Sequence, residues 1–383
     1  MKTKTLIIFL GTLQHLLWGQ TPQVYKNFNG ETLNLYAWNG TKTMILSSSN
    51  TLDQTTMQKW AAAMDGTYNY YKLCTNRDPT FYTGVTYLNG LSTIAEVPST
   101  CGAGCGYLGW TGIELQTTYF NNFYNTLHNN NQYSQEPFYE FGRNFWFYDN
   151  QLKYKSNDPI VTGYAVFMRF MAIDNQSLAG ANFNSWTYPQ FESNVRNLFT
   201  TYMSDANLSW NNTLGIGTGI SGSGLGATDL FASFCFKLHD LYGENWVRNV
   251  WKFAGTRPSA NTTQDAVDNF IIAASQAANI NLASTFISWK WPVSANLSST
   301  IDTLLSTKES SKSKFSIYPN PARDILNFSE EVKSATIFSI DGKIIRQNIS
   351  GKAADVAKLP NGTYLIKAIT KSDVNITSKF IKE

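Results

Sequence analysis

Phe315-Ser-Ile-Tyr-Pro-Asn-Pro-Ala-Arg-Asp-Ile-Leu-Asn-Phe328 opens a C-terminal stretch that continues through Ile340-Asp-Gly-Lys-Ile-Ile345 and Leu359-Pro-Asn-Gly-Thr-Tyr-Leu-Ile366 to Lys379-Phe-Ile-Lys382. Apolar and polar residues alternate in short runs such as 335–340 and 364–369, the period-two signature of strands with one buried face. The runs are separated by Asp341-Gly342 and Asn361-Gly362, dipeptides that tolerate positive φ and that tight hairpin turns select. Residues 315–383 therefore read as a small all-β sandwich, set apart from what precedes it.

Working outward, Ser306-Thr-Lys-Glu-Ser-Ser-Lys-Ser-Lys314 is polar, low in complexity and free of apolar periodicity, so 301–314 reads as a linker. At the other end, Met1-Lys-Thr-Lys-Thr5 is basic, and 6–18 is an apolar run broken by Gln14 and His15. That run is too short to span a bilayer and is followed by Gly19-Gln20, so 1–20 reads as a cleaved export signal. No later stretch reaches the roughly 18 apolar residues of a membrane helix, which predicts no membrane span. Between these ends, 21–300 is long enough for one large core or two lobes sharing a cleft.

The formal net charge is +3, and 315–383 alone carries ten Lys/Arg against seven Asp/Glu. The remaining domain is near neutral with no basic stripe, which argues against a nucleic-acid partner. It is rich in Asn, Ser, Thr, Trp, Tyr and Phe, a surface chemistry suited to sugars or peptide backbones. The four cysteines are Cys74, Cys101, Cys105 and Cys235. Cys235 lies in an apolar helical run, so one disulfide is expected, either Cys101 to Cys105 or Cys74 to one of those two.

Periodicity gives strands near 33–38 and 43–47, a helix over 53–71 capped by Asp53, and strands near 90–97 and 107–116. Helices follow at 138–148, 159–171, 191–203, 228–242, 245–253, 263–278 and 282–289. Strands first and helices second predicts an α+β domain.

The Tyr318-Pro-Asn-Pro321 opening, the Asp341-Gly342 turn, Leu359-x-x-Gly-x-Tyr364 and the basic last residues resemble the C-terminal sorting domain of the type IX secretion system of Bacteroidetes. That resemblance implies the secretion machinery as a partner and a location that is secreted or on the outer cell surface. A spacer or carbohydrate-binding module of immunoglobulin type is the plainer reading of the same strands.

In 21–300, Ala63-Met-Asp-Gly-Thr-Tyr-Asn-Tyr-Tyr71, Tyr107-Leu-Gly-Trp-Thr-Gly-Ile-Glu-Leu115 and Val267-Asp-Asn-Phe-Ile-Ile-Ala-Ala-Ser-Gln-Ala-Ala278, followed by Leu282 to Val293, resemble secreted zinc metallopeptidases of the gluzincin type. The resemblance implies a first long helix, an edge strand over a cleft and a closing helix pair. Those enzymes use His-Glu-x-x-His, in which i and i+4 on one helical face present two imidazoles to zinc and the glutamate activates a water. The corresponding phrase here is Phe138-Tyr-Glu-Phe-Gly-Arg-Asn-Phe-Trp146, with Tyr139 and Arg143 where the histidines belong. Only Glu140 matches, and Arg143 can pair with it at i−3. No metal is expected, since His128 and His239 lack a partner imidazole at metal spacing. No other cofactor is expected either: Gly217-x-Gly219-x-x-Gly222 has no strand leading into it within a βαβ unit.

Two carboxylates facing one cleft, Glu114 on the strand and Glu140 on the helix, would be the minimum apparatus for glycoside hydrolysis. Tyr139 and Arg143 would flank them, and Asn144, Trp146 and Trp110 would contact substrate. The sequence thus points to a protein acting on extracellular glycoprotein or polysaccharide. It would be either a metal-free hydrolase on a degenerate peptidase-like scaffold or a non-catalytic glycan- or protein-binding protein. The bland alternative makes Glu140 and Arg143 a structural ion pair.

Overall fold

The computed structural model describes residues 21–311, 315–340, 343–371 and 375–383. The expected export signal and the Asp341-Gly342 turn lie outside the described residues. The chain divides into two compact units, Met1–Ile301 and Asp302–Glu383.

The first unit opens with β1 (Thr21–Lys26), β2 (Thr32–Asn39), β3 (Thr43–Ser47), α1 (Gln54–Thr75), β4 (Tyr87–Leu88), β5 (Leu91–Val97), β6 (Gly104–Gly106) and β7 (Ile113–Gln116). Its helices are α2 (Thr117–Asn130), α3 (Glu136–Asn144), α4 (Asp149–Leu152), α5 (Pro159–Asn175), α6 (Tyr188–Ser204), α7 (Ala227–Tyr242), α8 (Glu244–Ala254), α9 (Thr263–Ala278) and α10 (Ala283–Ser288). A further helix, α11 (Leu297–Ser311), follows. The class is α+β.

The strands form one mixed sheet in the order β1-β2-β3-β5-β7-β6, with β4 on β5. β3 pairs β5 and β5 pairs β7 in parallel; the other pairs are antiparallel. The turn between β2 and β3 is tied to α1 by Asp65, which accepts from the backbone N–H groups of Lys42 and Thr43 at 2.9 and 2.8 Å. α1 begins where expected: Asp53 accepts from Thr56 N at 2.8 Å, and Met57, Trp60, Ala61, Met64 and Tyr68 are its buried stripe. In the helical half, α5 is apolar on nearly every side because other elements surround it. Gly163 admits α7, for a Cβ there would stand 2.8 Å from the Thr228 carbonyl oxygen.

In this unit several expectations change and an open one is decided: the helix expected over 138–148 ends at Asn144, and α2 was not expected. Residues 107–116 do not form one strand: Gly109 and Gly112 adopt φ of +75° and +85°, conformations that break extended backbone, and the segment folds back as β6, a loop and β7. The supposed linker 301–314 is helical through Ser311, because Leu297 and Ile301 are buried one turn apart and fix the first turns of α11. Cys101 and Cys105 form the disulfide, in the turn that precedes and enters β6. Cys74 takes no part; it is free and buried on the core face of α1, where burial pushes its thiol up to about 12.

The second unit holds β8 (Ile317–Tyr318), β9 (Ile325–Ser339), β10 (Ile344–Asp355), β11 (Gly362–Thr370) and β12 (Asn375–Lys382). Instead of two packed sheets it is one antiparallel sheet in the order β10-β9-β11-β12, with β8 on β9. Repeated register shifts between β9 and β10 bend it, and Leu326, Phe328, Ile337, Ile366 and Phe380 share its core. Asn361-Gly362 is not a hairpin turn, since β11 pairs with β9 and β12 and not with β10.

Candidate functional site

α3 turns Phe138 and Phe141 into the core, while Glu136, Tyr139, Glu140 and Arg143, at i, i+3, i+4 and i+7, share the half-buried opposite face. This face meets β6, the edge of the sheet. Glu140 Oε2 accepts from Gly106 N at 2.9 Å, and Arg143 Nε donates to Gly106 O at 2.9 Å while lying 3.4 Å from Glu140 Oε2. One turn on, Asn144 Nδ2 donates to Tyr107 O at 3.1 Å. The outward N–H and C=O of Gly106 are thus both satisfied by α3, which covers the free edge as a further strand would. Only glycine fits: a Cβ on Gly106 would lie 2.4 Å from the Glu140 carbonyl oxygen. Burial pushes the Glu140 carboxyl up, opposed by the Arg143 charge and the Gly106 N–H.

Glu114 lies elsewhere. Added Cβ atoms on Gly104 and Gly106 would meet Glu140 together with Leu115 and Ile113 of β7, so those two positions point toward α3. Glu114 stands between Ile113 and Leu115, and alternate strand residues face opposite sides, so its side chain projects from the other face of the sheet. There it is fully buried, and Oε1 accepts from Tyr25 OH at 3.1 Å and from Phe28 N at 2.6 Å. Oε2 accepts from Thr100 Oγ1 at 3.2 Å. Burial pushes this carboxyl up as well, opposed by those three donors. The expected shared cleft between Glu114 and Glu140 does not form.

Two expected substrate contacts are also internal. Trp146 is 2% exposed, its indole N–H donating to Asp149 Oδ1 at 2.6 Å, and Asn144 is fully buried. Tyr139 packs against the buried Arg169, whose guanidinium lies 5.7 Å from its ring centre and 4.9 Å from that of Phe191. Among the described residues no three His, Cys, Asp or Glu side chains converge as a metal would require.

Trp110 is where an open surface is found. It is 41% exposed, as is Tyr82, and the two rings are 5.7 Å apart. Tyr82 lies 5.1 Å from Tyr107 and 6.0 Å from Phe28, which in turn is 4.5 Å from Tyr107. Four rings from three separate loops make one aromatic platform. The loops are fixed from below: Thr80 N bonds Gly109 O at 2.7 Å, Thr111 N bonds Thr80 O at 2.9 Å, and Tyr82 N bonds Thr111 Oγ1 at 3.2 Å. Glu114 holds the backbone of Phe28, and Asn144 holds that of Tyr107. Phe28, Tyr82 and Tyr107 were not among the expected site residues; their only signal in the sequence was the density of aromatic residues in Gly- and Thr-rich loops.

Against known families, residues 316–383 match the secretion system C-terminal sorting domain. The C-terminal unit is a type IX sorting domain. A sorting domain of this kind engages the type IX machinery and directs the chain to the cell surface or extracellular space. No helix among the described residues is long and apolar enough to cross a membrane. No curated protein matches the chain. Among solved structures, a functionally unknown conserved protein from Bacillus anthracis is similar at 12% identity and a TM-score of 0.49, covering 91% of this chain and 72% of that one. The ZmpB metallopeptidase from Clostridium perfringens is similar at 12% identity and a TM-score of 0.44, covering 92% and 70%. The catalytic module of the metalloprotease ZmpA from Clostridium perfringens is similar at 14% identity and a TM-score of 0.43, covering 90% and 68%.

Proposed function

We propose that this type IX-secreted protein is a non-catalytic binder of extracellular glycan, and that its aromatic platform of Phe28, Tyr82, Tyr107 and Trp110 is the binding surface. The exposed, rigidly braced ring cluster carries the reading. The face of an aromatic ring is electron-rich, and the C–H bonds on one side of a pyranose form an apolar, weakly positive surface that lies flat against it. Rings fixed before the ligand arrives lose little entropy on binding, so contact converts efficiently into affinity.

The residues first considered for catalysis serve this surface as braces. Glu140, Arg143 and Asn144 hold Gly106 and Tyr107, and Glu114 holds Phe28. The hydrolase expected from Glu140 with Glu114 would need the two carboxylates across the scissile bond at roughly 5–10 Å, and Glu114 is on the far side of the sheet. In the place of a first metal-binding imidazole stands a tyrosine, and in that of the second a guanidinium already engaged with Gly106 and Glu140, a donor set unsuited to a cation.

The test is a glycan array and a mucin-retention assay with the full-length secreted chain. Trp110→Ala and Tyr82→Ala are expected to weaken retention by about tenfold, the loss of about 1.4 kcal/mol of ring contact, without moving the unfolding midpoint. Trp146→Ala should instead lower stability by about 3–5 kcal/mol, as a buried indole does. Cleavage of a bound glycan or protein that disappears in Glu140→Gln would overturn the reading.

A further inference from the structure

Beside the platform, a cleft of about 280 Å³ is lined by Lys42, Tyr68, Lys72, Asp78, Phe81 and Tyr87, with Thr111 at its base. It is continuous with the platform along the chain, since Phe81 adjoins Tyr82 and Thr111 adjoins Trp110. Phe81 is 56% exposed and Tyr87 38%, with centres 6.5 Å apart and planes at 89°, so the wall offers a ring face beside a ring edge. Just below the roughly 300–1,000 Å³ typical of small-molecule sites, the space suits about one sugar ring.

Its charge is selective. Asp78 is already engaged on both oxygens: Oδ1 accepts from Tyr68 OH at 2.7 Å and Oδ2 from Lys72 Nζ at 2.8 Å. Lys42 projects from the β2–β3 turn, its own backbone N–H fixed by Asp65, and its exposed ammonium has no ion-pair partner among the described residues. Two cations and one neutralised carboxylate give the lining a net positive charge beside its aromatic rings. A sugar bearing a carboxylate meets both features, with its ring against Phe81 and Tyr87 and its acid on Lys42. An acidic peptide would use the cation and leave the rings unfilled.

We infer that this cleft is a subsite for a carboxylated pyranose, with Lys42 as the residue that reads the acid group. The inference rests on the proposed glycan-binding function and deepens it. Uronic acids of a polysaccharide and sialic acids of a glycoprotein share the chemistry, and separate probes distinguish them.

The experiment titrates the full-length secreted chain with a glucuronate-containing oligosaccharide, sialyllactose, lactose and a glutamate-rich peptide, using isothermal calorimetry. At least one of the two acidic sugars is expected to bind about tenfold more tightly than lactose, and which one does names the source. Lys42→Met keeps the side-chain stem and should erase that preference while leaving lactose affinity unchanged; Trp110→Ala should weaken all the sugars together. If lactose and both acidic sugars bind equally, or if Lys42→Met keeps the preference, the subsite is overturned and the platform reading stands. If no sugar binds, both fall. Binding of the peptide in preference to every sugar, abolished by Lys42→Met, overturns the saccharide assignment in favour of an acidic polypeptide.

Discussion

Glu114 and Glu140 show how one side chain takes different duties from its surroundings. Both are drawn toward the neutral form by burial, and both are held by backbone N–H donors, yet one anchors the Phe28 loop and the other the β6 edge. The i,i+3 pairing of Glu140 with Arg143 could be read from sequence because a helix fixes that distance locally. Glu114 could be placed on a strand, but the side it faces depends on its neighbours across the sheet. Another buried acid gives a prediction with a sign. Asp158 caps α5, accepting from Ile160 N and Tyr154 N, and burial raises its carboxyl from 3.8 to about 6 against those bonds. The folded state therefore holds a proton that the unfolded chain has lost between about pH 4 and pH 6, and stability falls as pH rises through that window. The loss is on the order of 3 kcal/mol, complete above about pH 6. Denaturant melts at pH 4 and pH 7 should show a smaller stability difference between the two pH values in Asp158→Asn than in the wild type. An unchanged difference would mean that Asp158 does not titrate in that range. Asp174, raised to about 6 by burial as well, should retain its share of the slope in the variant.

At the scale of elements, the contact between α3 and β6 decides the geometry of the candidate site. Gly106→Ala must push the strand from the helix, because its Cβ would fall on the Glu140 backbone and not on a flexible tip. We expect a loss of about 1–3 kcal/mol from overpacking, together with weaker glycan retention as Tyr107 shifts. Gly84→Ala is the control: nothing stands within 4 Å of its added Cβ, and both stability and retention should stay unchanged. Equal melting of the Gly106 variant and the wild type would show that the edge is not packed as described. Elements with strong local signals, such as the capped and striped α1, were legible because cap and stripe are properties of neighbouring residues. β6 is only three residues long and carries two glycines, so no periodicity could reveal it. The polar end of α11 misled for the opposite reason: its helical start is set by burial of Leu297 and Ile301, which composition does not show.

For the whole molecule, the sorting domain carries export, and the first unit carries the binding surface proposed above. Removing residues 316–383 should leave the truncated chain inside the outer membrane, detected by fractionation and immunoblotting, while the intact chain reaches the surface or medium. Export of the truncated chain at wild-type levels would refute the sorting role. The sequence by itself determined the sorting domain, the α+β order and the cap and buried stripe of α1. Each of these is written in contiguous residues, as motif, period or cap. Only the tertiary structure decided that Glu114 and Glu140 lie on opposite faces, that Trp146 and Asn144 are internal, and that Phe28, Tyr82, Tyr107 and Trp110 meet. Those facts depend on sheet register and on loops brought together from about 80 residues apart along the chain, and register and loop closure are settled by burial across the whole fold.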